Sequence, residues 1–191
     1  LIFVSATQQA QSRQHADTLA QNLAMVDIGG DKVSGTIEHL YVVTEERKKT
    51  ELLRRLIRAI MPERALVFVH RNARVEELAG KLAFHKMRVV WIHGAASKME
   101  RQNALSAFRS GAAQVLISSD LSARGMDLPG VTHVFNLDPP TQSQGYLHRA
   151  GRTGRAGKQG CSVLLLDPRE TRLVSRYTRE LGIQLQPIRL E

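Results

Sequence analysis

The sequence predicts an α/β domain in which a mostly parallel sheet is covered by helices. Two observations predict it. Short runs rich in Val, Ile and Leu alternate along the chain with stretches whose apolar residues recur at helical spacing. Several of those runs also lack polar-apolar alternation, as expected of strands buried on both faces.

The elements follow in order. Leu1 to Val4 reads as a buried strand belonging to a sheet encoded upstream, and Thr7 is placed to cap a polar helix from Gln8 to about Leu23. Asp27 to Gly35, with three glycines among polar residues, reads as a linker, so the compact domain is expected from about residue 36. The first strand of that domain is Ile37 to Val43. Leu52, Leu53, Leu56, Ile57 and Ile60 then form one helical stripe, opposite Arg54, Arg55 and Arg58, and Pro62 stops the helix. A strand from Ala65 to His70 precedes Asn72, the expected N-cap of a helix carrying Val75, Leu78, Ala79 and Leu82. Arg88 to His93 is the next strand, with Trp91 expected in the core. Ala104, Leu105 and Phe108 face inward on a helix ended by Gly111. Strands Gln114 to Ser118, Thr132 to Asn136 and Cys161 to Leu166 complete the expected sheet. A last helix carries Leu173, Val174, Tyr177 and Leu181 up to Gly182, and the charges from Arg169 to Glu180 form its solvated face.

Composition bounds what such a domain does. A chain of 191 residues with 42% hydrophobic and 24% charged residues supports one sizeable core and is not disordered or fibrous. Its apolar runs fall short of the roughly 20 residues that span a bilayer, so no membrane association is expected and the setting is read as cytoplasmic. The single cysteine, Cys161, has no internal disulfide partner, and no Cys/His cluster has zinc spacing, so no metal ligands are expected. A formal net charge of +9 favours a polyanionic partner, because clustered Lys and Arg release counterions when they neutralise phosphates.

The densest chemical signal is the stretch from Tyr146 to Gly157. Glycines 151, 154 and 157 stand at every third position among Arg149, Arg152 and Arg155. Such glycines let backbone approach a ligand, while Arg152 and Arg155, three apart, can grip one phosphate group. A flexible basic loop is the plain alternative. A second signal is Ser118 to Asp127, a polar, Gly-containing loop after a buried strand, at the strand end where open parallel sheets bind ligands.

His148-Arg149-Ala150-Gly151-Arg152-Thr153-Gly154-Arg155 closely resembles motif VI of the DEAD-box RNA helicases, differing only at Ala150. Ser118 to Asp127 resembles motif V and Ser5-Ala6-Thr7 motif III. Leu66 to Val69 is similar to the motif IV strand, and Ile92-His93-Gly94 through Arg101 to motif IVa; the order is also the family's. The resemblance covers essentially the whole chain. It implies a RecA-like three-layer α/β/α domain over residues 36–191, preceded in 1–35 by the end of a first RecA-like domain and a linker.

The resemblance further implies an ATP-dependent RNA helicase whose lobes close on ATP and RNA. Arg152 and Arg155 are then the arginine fingers on the γ-phosphate, stabilising charge that spreads over its oxygens in the transition state. Asp127, with Gly125 beside it, faces the nucleotide, and Asp127 accepts from the ribose. Ser5, Thr7, Arg124 and His148 couple the two domains. Gly94, Lys98, Arg101, Ser119 and Asp120 match positions that grip RNA through its backbone, Asp120 orienting its neighbours rather than touching phosphate. The cofactor is ATP with Mg2+, held mainly by the first domain, and the partners are RNA and that first domain, in a monomer. The sequence has neither a Gly-x-x-x-x-Gly-Lys-Ser/Thr loop nor an Asp-Glu-Ala-Asp tetrad, so the chain by itself is not expected to hydrolyse ATP.

This sequence departs from the family pattern at several positions. Lys98 stands where a Gln is usual, exchanging an orienting amide for a cation able to touch phosphate. Motif IV continues as His70-Arg71-Asn72, Ser119 replaces Thr while keeping the hydroxyl, and Ala150 replaces Ile, a change of local packing. Two rival readings are a helicase-like RNA-binding scaffold with a silent cleft and an unrelated α/β nucleotide-binding enzyme. The intact Arg152, Arg155 and Asp127 weigh against the first, and the missing phosphate loop against the second.

Overall fold

A computed structural model describes residues 36–120, 126 and 128–189. The strand at Leu1, the helix from Gln8, the linker, and Ser5, Thr7, Arg124, Gly125 and Asp127 lie outside the described residues.

Seven strands form one parallel sheet: β1 (Ile37–Val43), β2 (Ala65–Val69), β3 (Val89–Ile92), β4 (Val115–Ser119), β5 (His133–Asn136), β6 (Gly160–Leu166) and β7 (Leu185–Pro187), in the spatial order β3-β4-β2-β5-β6-β1-β7. The helices are α1 (Lys49–Ile60), α2 (Asn72–Phe84), α3 (Lys98–Ser110), α4 (Ser143–Ala150) and α5 (Arg172–Leu181). Central strands β2 and β4 are buried at every residue, which is why they carry continuous apolar runs.

Period-two geometry sends alternate strand residues to opposite layers. Val67, Val115, Ile117, Phe135 and Val163 pack with Leu53, Ile57, Val75 and Leu82 of α1 and α2. Leu66, Phe68 and Leu116 pack with Ala104 and Phe108 of α3. Leu164 and Leu166 meet Tyr146, Ala150, Leu173 and Tyr177 of α4 and α5. This is the expected three-layer α/β/α arrangement. Ala150 is fully buried in that last cluster, so its small side chain is a packing choice. Burial pushes the Cys161 thiol up to about 12, which keeps it protonated and unreactive.

Helix ends follow the expected chemistry in most places. Gly111 and Gly182 close α3 and α5 at φ 81° and 65°, left-handed values that glycine adopts without strain. Ser97 caps α3 in a reciprocal box with Glu100.

Three expectations are corrected. Trp91 is 44% exposed: β3 is the outermost strand, with β4 as its single neighbour, and the face carrying Trp91 is only partly covered there. Ile60 is exposed because α1 ends at it, Met61 turning left-handed at φ 49°. Asn72 is the first residue of α2 and not its cap; Arg71 holds that position without a side-chain bond, and the Asn72 amide oxygen accepts from the Gly94 N–H at 3.3 Å. Strand β7 was not expected, since three residues including Gln186 and Pro187 carry no readable period; the Ile188 N–H donates to the Tyr41 carbonyl beside it. Among the described residues no helix is long and apolar enough to cross a membrane.

Candidate functional site at the two edges of the sheet

A parallel sheet gathers its strand ends at two opposite edges, and the candidate residues divide between them. Ser119 ends β4 and Asp120 follows it, while Gly94 follows β3; both positions lie at the carboxyl edge. Lys98 and Arg101 occupy the first turn of α3, just beyond Gly94. Lys98 is exposed, Arg101 is partly buried, and Ser119 is buried, its strand closed in by β2 and β3 on either side.

The glycine-arginine segment runs instead between α4 and the start of β6, at the amino edge. Its anchor is Thr153, a buried residue whose hydroxyl donates toward the carbonyls of Val131 at 2.6 Å and Thr132 at 3.0 Å, just before β5. The Thr36 hydroxyl donates to the Gly154 carbonyl at 3.2 Å, and the Gly160 N–H to the Thr36 carbonyl at 3.0 Å, just before β1. Gly154 takes φ 65° with Ile37 and Thr36 directly beneath it, a place for neither a side chain nor an ordinary L-residue conformation. The loop is therefore tied down by a hydroxyl and by backbone, not by its arginines.

The arginines lie above that anchor. Arg152 is partly buried and donates through Nη1 to the Met126 carbonyl at 3.2 Å. Arg155 is exposed and donates through Nε to the Gly151 carbonyl at 3.0 Å. Burial, and then the nearby Arg155 charge, lower the Arg152 guanidinium below the ordinary arginine range. Two like charges within electrostatic reach of each other favour an anion between them. His148, one residue before Arg149, points to solvent from α4.

Arg149 was assigned no role by its sequence position. It is 2% exposed. Its Nε and Nη2 donate to the two carboxylate oxygens of Asp120, each at 2.5 Å. Nη1 donates to the Asp138 carbonyl at 2.6 Å and the Asn136 side-chain oxygen at 3.2 Å, and the guanidinium carbon lies 4.9 Å from the Phe68 ring centre. Asp120 is thereby engaged as an orienting group. Asp138 adds a second cross-link: its carboxylate accepts from the His70 N–H at 2.9 Å and from Arg74 at 2.5 Å, and Arg74 also pairs with Glu46 at 2.7 Å. The available signal for Arg149 was its spacing, three residues after Tyr146 on the inward face of α4.

Residues 48–157 match the family model described as the helicase conserved C-terminal domain. The chain is 36% identical over 183 residues to the DEAD-box ATP-dependent RNA helicase CshC of Bacillus cereus, covering 96% of this chain and 47% of the relative. It is 38% identical over 170 residues to CshA of Bacillus subtilis, covering 88% of this chain and 34% of that protein. Among solved structures, Dbp5 of S. cerevisiae bound to RNA and ADP BeF3 superposes with a TM-score of 0.85 at 29% identity, over 96% of this chain and 50% of Dbp5. The DEAD-box protein SrmB of E. coli, bound to the regulator of ribonuclease activity A, gives 0.76 at 32% identity, over 81% and 91%. The chain thus spans about half, or less, of the length of the curated relatives it matches.

Proposed function

The chain belongs to the helicase conserved C-terminal domain family, in its DEAD-box branch, and from that premise we propose that it is the second RecA-like domain of an ATP-dependent RNA helicase. In this reading residues 1–35 carry the end of the first RecA-like domain and the linker. The complete protein couples ATP hydrolysis to the remodelling of short RNA duplexes, acting as a cytoplasmic monomer. One relative of the same fold, Dbp5, binds RNA and an ADP complex, which supports the assignment of ligands.

The observation that carries the reading is the loop from Gly151 to Gly157, anchored from below by Thr153 so that Arg152 and Arg155 stand near each other on its outer side. That arrangement fits the terminal phosphate of ATP, whose base, triphosphate and Mg2+ the first domain would hold. Gly125 and Asp127 would contact the nucleotide. Ser5, Thr7, Arg124 and His148 would link the lobes. Gly94, Lys98, Arg101 and Ser119 would follow the RNA backbone, with Lys98 contributing a point charge and binding weakening as salt rises. A fixed arginine finger is typically worth about 10³ to 10⁵ in turnover.

The test is twofold. The chain alone should show no RNA-stimulated ATP hydrolysis, and in the intact protein Arg155→Ala should lower kcat by about 10³ or more with an unchanged melting temperature. Robust hydrolysis by the isolated chain, or near-normal turnover of the variant, removes Arg155 from the finger role.

A further inference from the structure

The residues proposed to face RNA and those proposed to face ATP lie at opposite edges of the same sheet, so something must fix one set relative to the other. The described residues contain a direct chemical path between them. Ser119 and Asp120 are adjacent at the end of β4. Both carboxylate oxygens of Asp120 are held by the fork of Arg149. The backbone carbonyl of Arg149 accepts the N–H of Arg152 at 3.0 Å, and the next carbonyl, of Ala150, accepts that of Thr153 at 3.0 Å.

Resting on the proposed helicase reading, we infer that Arg149 is a positioning residue: its side chain and backbone together tie the RNA-facing end of β4 to the loop that carries Arg152 and Arg155. The geometry argues for this over a purely structural role. A guanidinium bound by two parallel hydrogen bonds is fixed in direction as well as distance, which a single ammonium contact is not. Arg149 is further clamped by the Asp138 carbonyl, the Asn136 amide and the Phe68 ring, all at the carboxyl edge, although its own helix ends at the amino edge. A shift of Asp120 on engaging RNA therefore pulls on the last turn of α4, from which the arginine loop begins. Buried ion pairs contribute little net stability compared with apolar packing, so the pair's distinctive contribution is geometric.

The consequence is a loss of coupling when the fork is removed but the charge and stem are kept. In the intact protein, Arg149→Lys should lower RNA-stimulated kcat at least 10-fold while changing the KM for ATP less than 3-fold. Asp120→Asn should do the same, and the double variant should be no worse than the weaker single variant, as expected of two residues acting through one contact. In the chain by itself, Arg149→Lys should speed amide exchange at 151–157 at least 10-fold and leave α1 and β2 as in the parent. That readout needs neither ATP nor RNA. If the parent protein shows no RNA-stimulated hydrolysis but the exchange change appears, the helicase reading fails and the mechanical link stands. If RNA stimulates the parent and both variants turn over normally, the inference is overturned and the helicase reading survives. Additive losses in the double variant, or faster exchange spread evenly over the domain, also overturn it.

Discussion

Gly160 is where the arginine loop and the sheet come closest, and replacing it with alanine tests whether that contact sets the loop's position. Gly160 begins β6 opposite Ile37 of β1. A methyl group there would overlap the Thr153 hydroxyl and lie 2.5 Å from the Gly154 nitrogen and 2.7 Å from the Thr153 methyl. The Gly154 nitrogen is backbone, so rotating a side chain gives no relief; residues 153 and 154 must lift by roughly 1 Å to reach ordinary contact distance. Overpacking of this kind costs about 1–3 kcal/mol, and loosening the Thr153 hydrogen bonds to Val131 and Thr132 adds about 1 kcal/mol. For a domain of this size the total corresponds to a fall in Tm of roughly 5–15 °C. A displacement of that size at a reacting group costs on the order of 100-fold in rate, so kcat of the intact protein should fall by about that factor. Gly157→Ala is the control: φ there is 75°, nothing lies within 4 Å of the added methyl, and only the conformational cost of about 1 kcal/mol applies. Circular dichroism melts of the chain and steady-state ATPase assays of the intact protein measure both effects. A Gly160→Ala chain that melts within 2 °C of the parent would refute the packing argument, and a destabilised variant with normal turnover would refute the link from loop position to catalysis.

Three further outcomes follow from the fold. Trp91→Ser should change chain stability by less than about 0.5 kcal/mol in urea unfolding, because the ring is 44% exposed on an edge strand; a loss of about 3 kcal/mol, as for a core aromatic, would show it is packed. Lys49 is fully buried, bound to Glu170 at 2.7 Å, Glu46 at 3.0 Å and the Leu137 carbonyl at 3.3 Å, so Lys49→Ala should cost about 2–4 kcal/mol in the same assay, and a change under 1 kcal/mol would show the network is dispensable. His39 is buried against the Tyr146 hydroxyl at 2.7 Å, and burial lowers it to about 4, so the folded state binds fewer protons than the unfolded chain between that value and about 6.5. Its stabilising contribution is complete above about pH 6.5 and is lost as pH falls toward 4, at most roughly 3 kcal/mol. Chain melts from pH 7 to 4 should therefore show a steeper decline than those of His39→Gln, and parallel curves would exclude His39 as the source.

How much of this could be read beforehand depended on how strongly local sequence dictates burial. Strands β2, β4 and β6 were legible to within a residue because a strand covered on both faces must be apolar at nearly every position. Trp91 misled because the same run of Val, Trp and Ile describes a central and an edge strand equally well, and spatial order is not written locally. Asn72 misled for a related reason: a polar residue before an apolar stripe is a good cap, yet here its amide reaches Gly94 across the carboxyl edge. The arginine loop was legible as a phosphate-facing segment, but its anchor was not, since the bond from Thr153 to the residues before β5 spans 21 positions. Arg149 was hidden by its neighbours: in a string of arginines and glycines, only the inward spacing from Tyr146 distinguishes the buried one.

The division of the site between two edges has a consequence for how the domain can work. In an all-parallel sheet, a segment after a strand lies at the carboxyl edge and one before a strand at the amino edge, so Ser119 and Arg152 are separated by about the length of a strand, roughly 15 Å for four or five residues. Flexible loops could not transmit position over that distance, because each would absorb the displacement of the other. A short helix can: α4 has eight residues, about 12 Å of rigid rise, nearly the same span. One end of that helix is fixed to the sheet by Thr153 beyond its last turn, and its buried arginine reaches back toward the other edge. An apolar residue at 149 would fill the space beside Phe68 without the cost of desolvating a charge, but it could not direct a carboxylate at Asp120. The buried arginine is therefore better explained by what it holds in register than by any stability it adds.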